Sequence, residues 1–247
     1  MFSALLQSPD TSLSGVQIWT AHLESLSPAE IVELSATLDS AERARSARFH
    51  FERDQRHYVA SRGLLRHLLG TALDTPAPAL VFEYGAHGKP ALSAAFSQDR
   101  ILRFNLSHSA GWAIFALAWD REVGIDLETA TRLRRDPDGL TGLASRVLSA
   151  RELVIWQALP DAAARDTAFL RAWTRKEAYA KATGQGLFDE LIRIEVALDA
   201  VAPESSLTLR SSPPDGGITR QWVLHDLSAP DGFAAALAVE QKLEQHA

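Results

Sequence analysis

Asp126, Glu128, Glu177 and Lys181 are the positions from which chemistry is most readily read. The first two lie in Val123-Gly124-Ile125-Asp126-Leu127-Glu128. In an extended chain, alternate side chains point to opposite faces. Val123, Ile125 and Leu127 then share an apolar face, and the two carboxylates share the other. Neighbouring carboxylates repel each other unless a cation sits between them, and hard oxygen donors with phosphate and water suit magnesium. Further on comes Trp173-Thr174-Arg175-Lys176-Glu177-Ala178-Tyr179-Ala180-Lys181, in which Trp173, Glu177 and Lys181 are spaced four apart. On a helix they form one stripe, facing inward at the tryptophan and reaching the wet border at Glu177.

Two shorter motifs offer groups for phosphate. Phe104-Asn105-Leu106-Ser107-His108-Ser109 sets an imidazole between hydroxyls at a strand end. His87-Gly88-Lys89-Pro90 is a turn whose glycine permits close backbone approach and whose lysine is a point charge. It is not a Walker loop, and no G-x-S-x-G elbow accompanies the serines. Taken singly, each motif also fits a structural reading: a solvated edge strand, a Glu–Lys pair on a helix, a turn with a satisfied histidine, a plain tight turn.

The elements that must position these groups follow from pattern. A strand is predicted near Val16–Leu23. Ser27-Pro28-Ala29-Glu30 is a capping box opening a helix to about Leu38. Helices follow over Ala41–Phe49 and from Asp54 to Gly70, the latter burying Tyr58, Leu64, Leu65 and Leu68. Strand character returns at Leu80–Tyr84, Arg103–Leu106, Trp112–Trp119 and Val123–Glu128. Residues 129–142, with Pro137 and two glycines, read as a loop. Ser149-Ala150-Arg151-Glu152 is a second capping box, and a long helix over Arg165–Thr183 closes at Gly184. Strands are predicted at 191–198, 207–210, 220–227 and 233–239, with a turn at Pro213–Gly217. Helices followed by strands in each half predict an α+β protein of two similar lobes, 1–119 and 120–247.

Composition narrows the field. The 247 residues carry a net charge of −6 and no cysteine. Disulfides and thiolate chemistry are excluded, and no global basic signature favours nucleic acid. No run of about 18 apolar residues predicts a membrane span, so a cytoplasmic protein is expected. From Glu42 to Arg66, however, seven arginines face three acids. Such a run suits either a solvated helix face or a surface for phosphate or an acidic partner.

The order GKP, FNLSHS, GIDLE and WTRKEAYAKATG, from about Arg45 to Leu187, resembles the 4′-phosphopantetheinyl transferases, in their larger single-chain Sfp-type branch. The resemblance implies two pseudo-twofold-related α+β lobes with the active site in the cleft between them. It implies transfer of 4′-phosphopantetheine from coenzyme A to a serine of an acyl or peptidyl carrier protein, with Mg2+ as cofactor. Asp126, Glu128 and Glu177 would hold the metal, and Glu177, Lys181 and His108 would be catalytic. Coenzyme A contacts would come from Arg45 at the 3′-phosphate, from His87, Gly88 and Lys89 at the nucleotide end, and from Asn105, Ser107, His108, Lys176 and Lys181. A monomer is expected, with a carrier-docking surface near Arg146, Arg151 and Leu143–Leu148. A metal-dependent nucleotide phosphohydrolase and a non-catalytic coenzyme A-binding module are the rival readings.

Overall fold

Two antiparallel sheets, packed face to face, organise the chain. The computed structural model describes residues 15–85, 87–97, 99–129, 131, 139–184, 191–199, 207–211 and 220–241. Strands β1 (Val16–His22), β4 (Leu102–Ser109) and β5 (Trp112–Trp119) form a sheet in the order β1-β5-β4. Strands β6 (Val123–Thr129), β7 (Leu207–Ser211), β8 (Arg220–Leu227) and β9 (Phe233–Gln241) form the other, in the order β6-β9-β8-β7. A hairpin of β2 (Phe82–Tyr84) and β3 (Pro90–Leu92) stands apart.

Strand alternation divides the core. From β5, Ala113, Phe115 and Leu117 point toward helices α1 (Pro28–Thr37) and α3 (Glu52–Ala72), meeting Leu34, Leu64, Leu65 and Leu69. Ile114, Ala116 and Ala118 point the other way, joining Val16 and Ile18 against Val123, Ile125, Leu127, Leu237 and Val239. The apolar face expected of Val123, Ile125 and Leu127 is therefore the seam between the sheets. Behind the second sheet lie α4 (Gly139–Val147), α5 (Ala150–Gln157) and the long α6 (Ala162–Thr183). The short α2 (Ser40–Ser46) precedes α3.

The helix signals act as their chemistry dictates. Ser27 and Ser149 both form reciprocal capping boxes, with Glu30 and Glu152, and Gly184 closes α6 at φ +69°. Two expectations change. Residues 139–147 are helical although Pro137 and the glycines suggest a loop, because Leu143, Ala144 and Val147 present an apolar stripe to the core. Residues 191–193 form a 3₁₀ turn and 194–198 join no ladder. The Arg175 guanidinium takes the Ala197 carbonyl of this segment and the Asp199 carbonyl just beyond it. The predicted turn at 213–217 lies outside the described residues.

Gly124 sets the spacing between β6 and α6. A Cβ there would stand 2.0 Å from the Ala178 carbonyl oxygen and 2.3 Å from the Ala182 nitrogen. Only glycine lets the helix backbone rest directly on the strand, which brings Glu177 and Lys181 over Asp126.

Candidate active site

Strand β4 places Asn105, Ser107 and Ser109 on one face, two residues apart. That face meets β6 without ladder bonds, so side chains make the connection. Asn105 Oδ1 accepts the Ile125 backbone N–H at 2.9 Å. The Ser107 hydroxyl donates to Asp126 Oδ1 at 2.9 Å, and the Ser109 hydroxyl donates to Glu128 Oε1 at 2.5 Å. The two β6 carboxylates of the expected metal trio are thus buried, and each is gripped by a serine from the neighbouring strand. Asn105 acts here as a strand-to-strand connector. Ser109 is a site residue that sequence reading passed over, although its place at the end of an i, i+2, i+4 polar trio was a signal.

Helix α6 supplies the remaining groups. Lys181 Nζ lies 2.6 Å from Asp126 Oδ1 and 3.0 Å from the Ser107 hydroxyl. Glu177 is buried, and its Oε1 has no hydrogen-bond partner; Asp126 Oδ2 is in the same state. Burial pushes the Glu177 carboxyl up to about 7, helped by the Asp126 charge, opposed by Lys181, and helped again by Glu128. Buried oxygens without partners cost free energy unless something satisfies them.

Among the described residues no three Asp, Glu or His groups are drawn together as finished metal ligands. Each strand carboxylate already has protein partners: Lys181 neutralises one oxygen of Asp126, and Ser109 with the Thr129 N–H takes Glu128 Oε1. Magnesium asks for less than a cage, since it binds through one or two carboxylates and fills its octahedron with water and phosphate. The free oxygens of Asp126 and Glu177 fit that requirement.

Two cavities flank this centre. One of about 230 Å³ is lined by His87, Gly88, Lys89, Asn105, Glu177 and Lys181, among others, and so unites six of the residues expected from sequence. Ala180 also lines it. The other, of about 470 Å³, is bordered by His108, Ser109, His57, Tyr58 and Phe49. Exposed Arg45 stands beside it, its guanidinium 5.6 Å from the Tyr58 ring centre.

Other expected contacts lie elsewhere. Lys176 is fully buried, and its ammonium donates to Glu152 Oε2 at 2.5 Å, the Val147 carbonyl at 2.8 Å and the Leu191 carbonyl at 3.0 Å. All three donors are used, so this lysine ties α6 to α4 and α5 and does not reach the cleft. Lys89 lines the cleft but is likewise engaged by three acceptors. Most of the arginine run is structural too. Arg66 binds Glu42, Asp39 and the carbonyls of Ala77 and Leu80; Arg62 shares Glu42 and reaches Tyr84. Arg43 and Arg56 donate to the carbonyls of Leu38 and Leu26. Of the segment suggested for docking, Leu143, Val147 and Leu148 are buried in the core. No helix among the described residues is long and apolar enough to cross a membrane.

Comparison with known proteins identifies the family. The family model described as the 4′-phosphopantetheinyl transferase superfamily matches residues 122–238. A model of the N-terminal part of a 4′-phosphopantetheinyl transferase matches residues 25–119. The chain is 38% identical over 224 residues to the 4′-phosphopantetheinyl transferase HetI of Nostoc sp., covering 91% of this chain and 87% of the relative. It is 27% identical over 241 residues to the human L-aminoadipate-semialdehyde dehydrogenase-phosphopantetheinyl transferase, covering 93% and 76%. Among solved structures, a holo-(acyl-carrier-protein) synthase from Bacillus anthracis in complex with CoA (3′,5′-ADP) aligns with a TM-score of 0.31 and 22% identity, over 48% of this chain and 94% of that one. With family models matching both parts of the chain and a 38% identical relative aligned over 91% of it, the chain belongs to the 4′-phosphopantetheinyl transferase superfamily.

Proposed function

We propose that the chain moves the 4′-phosphopantetheine arm of coenzyme A onto a serine hydroxyl of an acyl or peptidyl carrier protein, releasing 3′,5′-ADP. The observation that carries this reading is the pair of partnerless buried oxygens, Asp126 Oδ2 and Glu177 Oε1, beside the ammonium of Lys181. Such a centre suits a substrate that brings both a divalent cation and phosphate. Bound magnesium, held by Asp126, Glu177 and Glu128, would neutralise phosphate charge and orient the phosphorus for in-line attack.

The chain's own groups supply the rest. Glu177, freed of its own proton when the metal binds, takes the serine proton, directly or through one water. Lys181 moves from Asp126 toward the pyrophosphate and, with His108, offsets charge on the departing 3′,5′-ADP. Ser107 and Ser109 keep the carboxylates oriented. His108 borders the larger cavity and Arg45 stands over its Tyr58 wall, so the two suit the 3′-phosphate, while His87 and Gly88 form the wall at the nucleotide end. The division into a nucleotide-holding lobe, 1–119, and a carboxylate-bearing lobe, 120–247, follows the same reading, with the cleft between them.

Mass spectrometry of apo-carrier proteins incubated with the chain, coenzyme A and Mg2+ tests the proposal. One phosphopantetheine group should be gained per carrier, with 3′,5′-ADP appearing only when apo-carrier is present. Release of 3′,5′-ADP without carrier would instead indicate a phosphohydrolase. Tight coenzyme A binding with no gain in carrier mass would indicate a binding module.

A further inference from the structure

The turn between β2 and β3 is fastened by its own lysine. Within the turn, the Gly85 N–H donates to the Lys89 carbonyl at 3.0 Å, the Gly88 N–H donates to the Gly85 carbonyl at 2.9 Å, and Gly88 adopts φ +79°. From there the Lys89 side chain leaves the hairpin and crosses to the second sheet. Its ammonium donates to Glu122 Oε2 at 2.8 Å, to the Ala182 carbonyl at 2.8 Å and to the Val123 carbonyl at 3.3 Å.

Each acceptor needs a donor for its own reason. The Ala182 carbonyl belongs to the last turn of α6, where carbonyls have no helical partner and a cation complements the helix dipole. The Val123 carbonyl opens β6. Glu122 is itself fixed, since Oε1 lies 3.1 Å from Arg103 Nε and its backbone pairs with Glu240 through the Glu240 N–H at 2.9 Å. An ammonium has three hydrogens and no acceptor. Lys89 therefore spends its donors on the protein, and burial holds its ammonium below the usual lysine range. Donation to a phosphate would require leaving a helix end, a strand end or a carboxylate.

We propose that Lys89 is a positioning residue, which staples the Gly85–Pro90 turn to the C-terminus of α6 and the start of β6 and so sets one wall of the cleft before coenzyme A arrives. The inference rests on the coenzyme A reading above for the identity of the ligand. It departs from the direct coenzyme A contact at the nucleotide end that the family resemblance implies for this lysine. Through Ala182 the staple also bears on the helix that carries Glu177 and Lys181, whose side chains line the same cavity as the turn.

Two variants of the full chain decide between staple and phosphate ligand. Lys89→Met removes the charge, and Glu122→Gln keeps the side-chain shape while weakening the grip on Lys89. Coenzyme A binding without carrier is followed by calorimetry at two salt concentrations, and amide hydrogen exchange is followed in the ligand-free protein. A staple predicts that each variant weakens coenzyme A about tenfold and that the double variant is little worse than either single one. It also predicts faster exchange at the Gly85 and Gly88 amides in both variants. If Glu122→Gln keeps parental exchange and binds coenzyme A as tightly as the parent or tighter, while Lys89→Met loses affinity and salt dependence, Lys89 is a phosphate ligand and the staple is wrong. Parental behaviour of both variants in both measurements also overturns it. Should Lys89→Met not fold, Glu122→Gln alone carries the comparison. Should the parent not bind coenzyme A at all, the ligand assignment fails and the exchange data still judge the staple.

Discussion

Glu177 sits at an unusual balance for a carboxyl group. Buried, and close enough to Asp126 and Glu128 to feel both, it keeps its proton up to about pH 7, whereas the unfolded chain would release it near 4.5. Between those values the folded state binds more protons, so stability in the metal-free protein falls as pH rises through that window. Glu177→Gln cannot ionise and should lack this contribution. The difference in unfolding free energy between parent and variant should therefore move in the variant's favour by roughly 2–3 kcal/mol from pH 5 to pH 8. Urea unfolding at the two pH values measures it. The same variant should form no holo-carrier while retaining the parental circular dichroism; near-normal transfer would remove Glu177 from the mechanism. Metal taken up by the coenzyme A complex below pH 7 should displace the Glu177 proton, visible as a heat that depends on the buffer's ionisation enthalpy and vanishes by pH 8.

At the level of elements, the β6–α6 contact turns on one missing side chain. Gly124→Ala would drive a methyl group into the α6 backbone at Ala178 and Ala182. Overpacking against backbone cannot be relieved by a rotamer change, so a loss of about 3 kcal/mol or more is expected, with transfer falling further as Glu177 shifts. Thermal unfolding and steady-state rates of the variant check both parts. Lys176 fixes the other side of α6. Removing its charge by Lys176→Met leaves Glu152 buried beside the Val147 and Leu191 carbonyls without their donor, which should cost about 3–5 kcal/mol, measurable by denaturant titration.

These elements were legible in unequal measure. Strong caps at Ser27, Ser149 and Gly184, and the apolar run Trp112–Trp119, announced themselves because their causes are local. Helix α4 did not, since its stabilising stripe of Leu143, Ala144 and Val147 has meaning only against the core. The carboxylate trio was visible as a pattern on β6 and α6. Its serine grips were not, because they depend on β4 lying beside β6 without a shared ladder. For the same reason Lys176 and Lys89 were expected at coenzyme A, and the arginine run suited a phosphate or acidic surface as well as a solvated helix face. Sequence displays charge, and only tertiary structure shows which acceptors already use it.

At the scale of the whole molecule, the two sheets share an apolar seam formed by Ile18, Ile114, Ala116, Val123, Ile125 and Leu237. Separating them would expose that surface on both pieces. A single cooperative transition is therefore expected in calorimetry, with van't Hoff and calorimetric enthalpies equal. Residues 1–119 produced without 120–247 should bind hydrophobic dye and aggregate, and two resolved transitions would contradict this. Lys181 also acts on the molecule as a whole. Its ammonium already rests on Asp126 and dilutes the negative charge that gathers there. A protein equipped with this internal counterion has a tolerable dormant form. Prolonged exposure to EDTA should stop turnover yet shift the melting point by less than about 4 °C, and full turnover should return when magnesium is restored.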